Sequence, residues 1–207
     1  MRIIGLTGGI ACGKSSVSRY LSRSLSAGGK DAAVIDLDEV SRAVTIPGSP
    51  GLKEVIDHFG ADFLVFGGIL DRRKLGALVF SDPDQRKALE AILGPRIRQE
   101  TESRIAGLRA DNVGFCLLDT ALLFEMGLDA LCDATICVHC DVETQITRLA
   151  ARNGFTRSEA LNVIDAQMPW DERCARATYI IPNMGDHFEF VSEIELVWGQ
   201  IEAKFPA

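Results

Sequence analysis

The chain has 207 residues, of which 47% are hydrophobic and 25% charged, a composition typical of globular proteins rather than disordered or fibrous ones. A formal net charge of −7 disfavours general binding to nucleic acid, which requires clustered Lys and Arg to neutralise phosphates. The longest uncharged run, residues 3–13, is shorter than the roughly 18 to 20 residues of a membrane span, and it leads into a glycine loop instead of a signal cleavage site. We expect a soluble cytoplasmic protein that binds neither nucleic acid nor membrane.

The N-terminal part of the chain predicts a strand, a helix and a second strand. Residues 2–6 are a short β-branched run that ends in glycines, and residues 15–25 carry apolar side chains at helical spacing. Residues 33–36 form another apolar run of strand length. Two strands separated by a helix favour a parallel βαβ unit.

A helical insertion is expected after this unit. The sequence PGSP at residues 47–50 interrupts regular structure, and residues 52–108 are mostly helical by pattern. Gly60 is expected to end the first helix of this segment, because glycine commonly follows the last residue of a helix. The sequence SDP at residues 81–83 supplies a cap and a first-turn proline for a helix over residues 84–93.

The second half of the chain returns to strands. Residues 113–118 and 134–138 are continuous apolar runs, typical of central strands covered on both faces, and a helix is expected after each. Residues 156–167 begin with TRSE, a capping-box sequence that opens a helix. Residues 179–181 predict a last short strand, and residues 188–205 predict an amphipathic final helix.

The turn between the first strand and the first helix matches a phosphate-binding loop. Residues 8–15 read GGIACGKS, which has the spacing G-x-x-x-x-G-K-S. Glycines let backbone N–H groups face phosphate oxygens, Lys14 supplies a cation, and Ser15 offers a hydroxyl to Mg²⁺. The alternative is a glycine-rich turn with a solvated lysine. The residues expected to bind ATP here are Gly8, Gly9, Ile10, Ala11, Cys12, Gly13, Lys14, Ser15 and Ser16.

The order of elements and this loop together predict an α/β fold of the P-loop NTPase type, with a parallel sheet carrying helices on both faces. The expected core comprises residues 1–46, 110–150 and 177–207. Residues 47–109 are the expected helical substrate-binding insert, and residues 151–176 are the expected small lid.

A phosphate loop occurs in kinases and in GTPase switches alike. No Asn-Lys-x-Asp guanine-reading motif is present in the sequence. The D-x-x-G sequence at residues 111–114 precedes a predicted strand, whereas a γ-phosphate sensor should follow one. These observations favour a kinase.

Three aspartates lie at the ends of predicted strands. Asp119 directly follows residues 113–118, where a Walker-B-like carboxylate would reach Mg²⁺ or its waters; the alternative is an ordinary strand-end acid. Asp36 and Asp38 follow the second strand, on the side of the sheet where open α/β folds bind ligands. One of the two can face the phosphates as a general base while the other caps the next helix. The spacing leaves open whether Asp38 is the base or only a cap.

Arginines surround the polar segment before the last predicted strand. Arg148 and Arg152 are four residues apart and share a helix face, and Arg157, Arg173 and Arg176 lie around the ends of the segment. Such a segment is typical of a lid whose guanidinium groups neutralise charge in phosphoryl transfer. A solvated helix face is the alternative for each of these arginines.

The six cysteines are scattered among hydrophobic stretches, which favours reduced thiols over a disulfide framework. Cys137 and Cys140 form a C-x-x-C pattern, but residues three apart on a strand face opposite sides, so we expect no metal site there. Cys12 lies in the phosphate loop, where Lys14 and the helix N-terminus would lower the pKa of its thiol. The alternative for Cys12 is a small polar filler.

Together these motifs resemble the dephospho-coenzyme A kinase family, the last enzymes of coenzyme A synthesis, along nearly the whole chain. The sequence GLTGGI at residues 5–10 resembles the family's opening signature, and VIDLD at residues 34–38 resembles its strand with the acceptor-activating aspartate. Further matches at the family's spacing are PGSP at 47–50, FG at 59–60, RRKL at 72–75, LLD at 117–119, LLFE at 122–125, Gln167, and Asn183 with Gly185. Departures from the family's pattern occur at Ala11, Cys12, Gly94, Ala121, Asn153, Gly154 and Thr178.

This resemblance implies a kinase that uses ATP and Mg²⁺ to phosphorylate the ribose 3′-hydroxyl of dephospho-CoA. It implies Asp38 as the base, with Lys14 and Ser15 as ligands of ATP and Mg²⁺. The remaining implied site residues are the lid arginines Arg148 and Arg152 and the nucleotide-binding residues Asn183 and Gly185. Another small-molecule or nucleoside monophosphate kinase, or a non-enzymatic nucleotide-dependent switch, are the alternatives that the residues leave open.

Overall fold

The computed structural model describes residues 1–27 and 32–205. The strands are β1 (Arg2–Gly8), β2 (Ala32–Asp36), β3 (Leu64–Val65), β4 (Ile69–Leu70), β5 (Phe115–Asp119), β6 (Ala134–His139) and β7 (Tyr179–Pro182). The helices are α1 (Lys14–Ala27), α2 (Leu37–Ala43), α3 (Pro50–Phe59), α4 (Arg72–Ser81), α5 (Pro83–Ala110), α6 (Val142–Asn153), α7 (Arg157–Asp165), α8 (Trp170–Arg176) and α9 (His187–Lys204). Short 3₁₀ turns cover Ala61–Phe63 and Leu128–Leu131.

The central sheet has five strands in the order β2-β5-β1-β6-β7. β1 pairs in parallel with β5 on one side and β6 on the other, so that Ile4 lies beside both Leu117 and Ala134. β7 continues the sheet in parallel with β6. Because the strand order reverses around β1, the carboxyl end of β1 opens onto the crevice where such sheets bind ligands. The predicted α/β fold with a parallel sheet is confirmed.

The main core lies between the sheet and helices α1 and α9. Ile4 on β1 is completely buried, as a central strand covered on both faces requires. Val17 and Leu21 from α1 and Ile194 and Ile201 from α9 belong to the same buried cluster. Both helices thus bury one apolar stripe, which is the pattern that predicted them.

The connection between β5 and β6 differs from the prediction, because it contains turns and a 3₁₀ turn where an α-helix was expected. Gly127 has a φ of 63°, a left-handed conformation that ends helical structure. Leu123 and Leu128 on either side of this bend are both completely buried. The apolar side chains that predicted a helix are therefore buried by a bent segment.

Residues 35–107 form a separate compact unit, whereas residues 1–34 and 108–207 form the other. In the first of these units, α3 begins at its Ser49 cap and ends at Gly60, which has a φ of 98°. The predicted end of this helix is therefore confirmed.

Two features of the helical unit differ from the prediction, namely the length of one helix and a short hairpin. Helix α5 extends far beyond residues 84–93 and passes Pro95, because Leu93 and Ile97 on either side of the proline are both buried. Packing here offsets a cost of about 3 kcal/mol for a proline inside a helix. The short antiparallel hairpin of β3 and β4 turns at Gly67 and Gly68, which both have positive φ. A Gly-Gly pair between apolar residues is a hairpin signal that the sequence does contain.

Helices α6, α7 and α8 cover residues 142–176 of the larger unit. The predicted capping box is confirmed, because the Thr156 hydroxyl accepts from the Glu159 backbone N–H and the Glu159 carboxylate accepts from the Thr156 backbone N–H. Leu149 of α6 and Ala160 of α7 form the centre of a small apolar cluster. Helix α8 was not predicted, because its seven residues are too few for an apolar period to stand out.

No helix among residues 1–27 and 32–205 is both long and apolar enough to cross a membrane.

Neighbouring isoleucines on β7 give a matched test of the core. Ile181 is completely buried and Ile180 is 45% exposed. We expect Ile181→Ala to lower the free energy of unfolding by roughly 2 to 5 kcal/mol, because it leaves a cavity, and Ile180→Ala to change it by less than about 1 kcal/mol. Urea unfolding followed by circular dichroism measures both variants. Equal losses would contradict the assignment of Ile181 to the core.

Candidate active site

The candidate site is built around the turn between β1 and α1. A Cβ on Gly8 would lie 2.6 Å from the Val138 carbonyl oxygen, so this strand end needs glycine to approach β6. Gly13 has a φ of 101°, a backbone conformation that residues other than glycine rarely adopt. α1 begins immediately afterwards at Lys14, and the positive end of its dipole faces the turn. The GGIACGKS segment therefore has the strand-loop-helix setting that phosphate binding needs.

Two glutamine side chains fix the backbone of Ile10 in this loop. The Gln145 amide nitrogen donates to the Ile10 carbonyl oxygen at 2.7 Å, and the Gln167 amide oxygen accepts from the Ile10 N–H at 2.7 Å. Gln145 is buried on α6, and Gln167 follows α7. The two peptide groups that flank Ile10 are thus held by one side chain of α6 and by one that follows α7.

Two further side chains hold the middle of the loop. The Asn183 amide nitrogen donates to the Cys12 carbonyl oxygen at 2.8 Å. Arg148 donates to the Ala11 carbonyl oxygen at 3.1 Å and to the backbone and side-chain oxygens of Asn183, both at 3.2 Å. These contacts join the loop to the turn that follows β7.

Lys14 and Asp119 meet at the mouth of the loop. The Lys14 ammonium group forms a hydrogen-bonded ion pair with the carboxylate of Asp119, which is the last residue of β5. The Asp119 side chain is 8% exposed, and Ser15, at the start of α1, is exposed. A hydroxyl and a carboxylate are hard oxygen donors of the kind that Mg²⁺ prefers.

A cleft of about 400 Å³ opens beside the helix end of the loop. Gly13 and Ser16 line it from the loop, and Arg148, Asn183 and Gly185 line it from α6 and the turn after β7. The sequence-predicted residues Asn183 and Gly185 are thus near the phosphate loop. The cleft is also lined by the aromatic rings of Tyr20 and Phe190, and a cleft that combines aromatic and polar groups is suited to a nucleoside.

The two arginines chosen from the sequence have different surroundings. Arg148 is half-buried, and its donors are used by the carbonyl groups of Ala11 and Asn183. Arg152 is exposed, and its Nε donates to the Asn153 side chain at 2.8 Å. Arg148 therefore lies at the loop, whereas Arg152 has no contact with it.

Asp36 and Asp38 lie at the start of the helical unit. The structure shows which of the two caps the following helix. Asp36 is the N-cap of α2, since its carboxylate accepts from the Asp38 N–H at 2.8 Å. Asp38 is in the first turn of the helix and is exposed. Capping is thus the role of Asp36, and the Asp38 carboxylate projects to solvent.

Four of the cysteines form two thiol contacts beside the loop. The Cys140 thiol donates to Cys12 Sγ at 3.4 Å, and the Cys174 thiol donates to Cys137 Sγ at 3.7 Å. The pKa of the Cys12 thiol is lowered to about 7, chiefly by the hydrogen bond with Cys140 and also by the charges of Arg173 and Arg148, while burial opposes the shift. The direction agrees with the sequence-based prediction, whereas the groups responsible differ from the predicted Lys14.

Gln145 was missed in the sequence, and Arg173 was named only as one of several arginines around the expected lid. Gln145 lies between apolar positions of α6, where a buried amide is unusual and could have marked a contact with backbone. Arg173, on α8, is only 2% exposed and lies against the loop at Gly9. Its role was not separable from those of the other arginines, because α8 itself was not predicted.

A parallel sheet with the G-x-x-x-x-G-K-S loop at its switch point, and a Lys-Asp pair at the loop's mouth, defines a P-loop kinase. A family model described as dephospho-CoA kinase matches residues 2–189. The chain is 42% identical over 206 residues to the dephospho-CoA kinase of Geobacter sulfurreducens, with 100% of both chains covered. The chain therefore belongs to the dephospho-CoA kinase family.

Solved structures agree with this fold. A crystal structure of a Thermus thermophilus protein is 34% identical, covers 100% of this chain and 98% of its own, and has a TM-score of 0.78. The dephospho-CoA kinase of Campylobacter jejuni is 23% identical, covers 99% of both chains and has a TM-score of 0.69. At that identity the second likeness concerns the fold alone.

The lowered pKa of Cys12 predicts a thiol that ionises near neutral pH. We expect the ultraviolet thiolate absorbance of Cys12, taken as the difference between the parent and Cys12→Ser, to rise with pH around a midpoint of about 7, because its thiolate is stabilised by the Cys140 hydrogen bond. This readout suits Cys12 because it needs no reagent to reach a buried thiol. Cys140→Ala removes the hydrogen-bond donor and should move the midpoint upwards. Cys116→Ser is the control, because burial raises the pKa of Cys116 to about 11, so this variant should show no difference from the parent near neutral pH. A midpoint near 9 for Cys12 in the parent protein would contradict the assignment.

Proposed function

We propose that this protein transfers the γ-phosphoryl group of ATP to the ribose 3′-hydroxyl of dephospho-CoA, with Mg²⁺ as counter-ion, in the cytoplasm. The proposal is carried by one observation, the anchored phosphate loop with Lys14 and Asp119 at its mouth in a chain of this family. The loop supplies fixed backbone donors and a cation, which is the arrangement that phosphoryl transfer requires. Dephospho-CoA is the acceptor that the family description implies.

The donor nucleotide is proposed to bind along the loop, with its nucleoside in the cleft at Asn183 and Gly185. Lys14 exchanges its contact with Asp119 for the phosphates, because a triphosphate carries more negative charge than one carboxylate. The Ser15 hydroxyl and the released Asp119 carboxylate then hold the metal. Mg²⁺ would neutralise negative charge on the terminal phosphate oxygens.

Asp38 is proposed as the general base that accepts the proton of the 3′-hydroxyl. Three observations support this choice: Asp36 already supplies the helix cap, Asp38 is exposed, and it lies in the first turn of α2. A carboxylate that is not engaged in capping can accept a proton from an acceptor bound beside it.

The acceptor is proposed to bind to the helical insert at residues 47–109. Residues 151–176 are proposed to act as a lid over the nucleotide-binding core, which comprises residues 1–46, 110–150 and 177–207. Arg72 supports an anion-binding surface at the start of α4, because burial and the nearby charge of Arg42 both lower the pKa of Arg72. Two guanidinium groups held close together favour an anionic ligand such as a diphosphate. Arg148 and Arg152 are kept as candidate lid residues, with Arg148 the better supported of the two by its contact with Ala11.

The acceptor is tested with purified protein, ATP and Mg²⁺ in a coupled assay. Dephospho-CoA is compared with adenosine, nucleoside monophosphates and other small alcohols, and the product is identified by mass spectrometry. Turnover restricted to dephospho-CoA, with phosphate on the 3′-oxygen, supports the proposal. Preference for a nucleoside monophosphate would assign a different kinase activity, and turnover of no acceptor would favour a nucleotide-dependent switch.

Asp38→Asn tests the base. We expect kcat to fall by about 10²- to 10⁴-fold, because the amide cannot accept the hydroxyl proton, while the Kd for ATP changes little. Glu39→Gln is the matched control, since Glu39 is the next exposed acid in the same helical turn and should leave kcat unchanged. An Asp38→Asn enzyme with most of its turnover would remove Asp38 from this role.

A further inference from the structure

Arg173 is a buried cation with unused hydrogen-bond donors. It lies on α8 with 2% of its surface exposed. Its Nε and Nη2 atoms are both buried and have no hydrogen-bond partner among residues 1–27 and 32–205. Burying a guanidinium without partners costs free energy, so such groups in native proteins usually face a ligand or an ion.

The surroundings of Arg173 place these donors at the phosphate loop. Arg173 lines a pocket of about 240 Å³ together with Gly9, Gln145, Gln167 and Trp170. Its Nη1 atom lies 3.5 Å from the position that a Cβ on Gly9 would occupy. A Cβ at residue 9 would be in van der Waals contact with the guanidinium and would lie more tightly, at 3.0 Å, against the Gln145 amide nitrogen. The loop thus approaches Arg173 through a glycine.

The nearest acid does not satisfy the guanidinium. Glu125 Oε1 lies 3.5 Å from Arg173 Nη2, which is longer than the roughly 2.7 to 2.9 Å of a charge-assisted hydrogen bond. Glu125 therefore balances the charge of Arg173 without using its donors. The planar fork of the guanidinium remains available to two oxygens of one oxyanion.

The other arginines of residues 148–176, all of which the structure describes, are engaged elsewhere. Arg148 donates to loop and turn carbonyls, and Arg152 donates to a neighbouring side chain. Arg157 forms a bidentate pair with Glu143 at 2.7 and 2.6 Å. Arg176 lies over a phenylalanine ring and 3.4 Å from Asp129. Arg173 differs from these four in having buried, unbonded donors.

The order of the two cavities along the loop indicates which phosphate Arg173 would meet. The nucleoside cleft borders Ala11, Gly13 and Ser16, whereas the Arg173 pocket borders Cys12 and also Gly9, the loop residue that directly follows β1. A triphosphate whose nucleoside occupies the cleft would extend its terminal group towards the β1 end of the loop. We propose that Arg173 is a catalytic residue that binds the γ-phosphoryl oxygens of ATP and stabilises their charge during transfer, an assignment that rests on the proposed kinase function.

The test compares nucleotides that differ by the terminal phosphate. Binding of ATP and of ADP, each with Mg²⁺ and no acceptor, is measured by calorimetry for the parent and for Arg173→Gln. We expect ATP affinity to fall by about 10-fold and ADP affinity by less than about 2-fold, because a charge-assisted bond is lost only with the γ-phosphate. With dephospho-CoA present, kcat should fall by about 10²- to 10³-fold, as for loss of one transition-state donor. Arg173→Lys should restore part of the ATP affinity and part of kcat, because lysine keeps the positive charge but lacks the two parallel donors of the guanidinium.

Two controls separate this role from a structural one. Arg23→Gln removes the same charge from an exposed position on α1 and should leave both nucleotide affinities and kcat unchanged. Equal losses of ATP and ADP affinity in Arg173→Gln, reproduced by Glu125→Gln with a similar fall in Tm, would overturn the proposal in favour of a structural pair. An unchanged kcat in Arg173→Gln would also overturn it. The calorimetric difference needs no acceptor, so its outcome is independent of whether dephospho-CoA is the substrate; failure of the parent to phosphorylate dephospho-CoA would reject the proposed function alone.

Discussion

The site depends on the fixation of the loop backbone by side chains from distant parts of the chain. Gln145, Gln167 and Asn183 lie 135, 157 and 171 residues along the chain from the loop residues that they bind. A loop of small residues has little packing of its own, and the freedom of its glycines would cost binding free energy if the phosphates had to order it. The distant amides remove part of that cost in advance. The parallel sheet serves this arrangement, because it brings the ends of β1, β6 and β7 to one edge.

The same edge shows how acids of the chain balance two cations of the site. Lys14 is paired with Asp119 on the neighbouring strand β5. Arg173 is different, because Glu125 is distant for a hydrogen bond and the donors Nε and Nη2 of Arg173 are buried. Lys14 is thus fully compensated by its acid, whereas Arg173 is only partly compensated. This difference in pairing, rather than the number of arginines, separates Arg173 from the other arginines of residues 148–176.

The sequence was most informative where local chemistry determines local structure. The loop motif, the capping box at Thr156 and the glycine after α3 depend on neighbouring residues, and all three were predicted. The pair Asp36 and Asp38 is an intermediate case: its position after β2 was predicted from the sequence, but only the structure shows that Asp36 is the residue that caps α2. Helix α8 and the extension of α5 past Pro95 depend on packing against other elements. Gln145 and Arg173 gained their significance only through contacts with the loop, which no spacing rule encodes.

The hydrogen bond from Asn183 to Cys12 has a consequence for synthesis on the ribosome. Protein chains are made from the N-terminus, so the phosphate loop is synthesised 171 residues before its Asn183 donor. A nascent chain that has reached only α6 contains the motif but lacks β7 and the turn that holds the Cys12 carbonyl. The Cys12 carbonyl is therefore held only after β7 has been made and has joined β6.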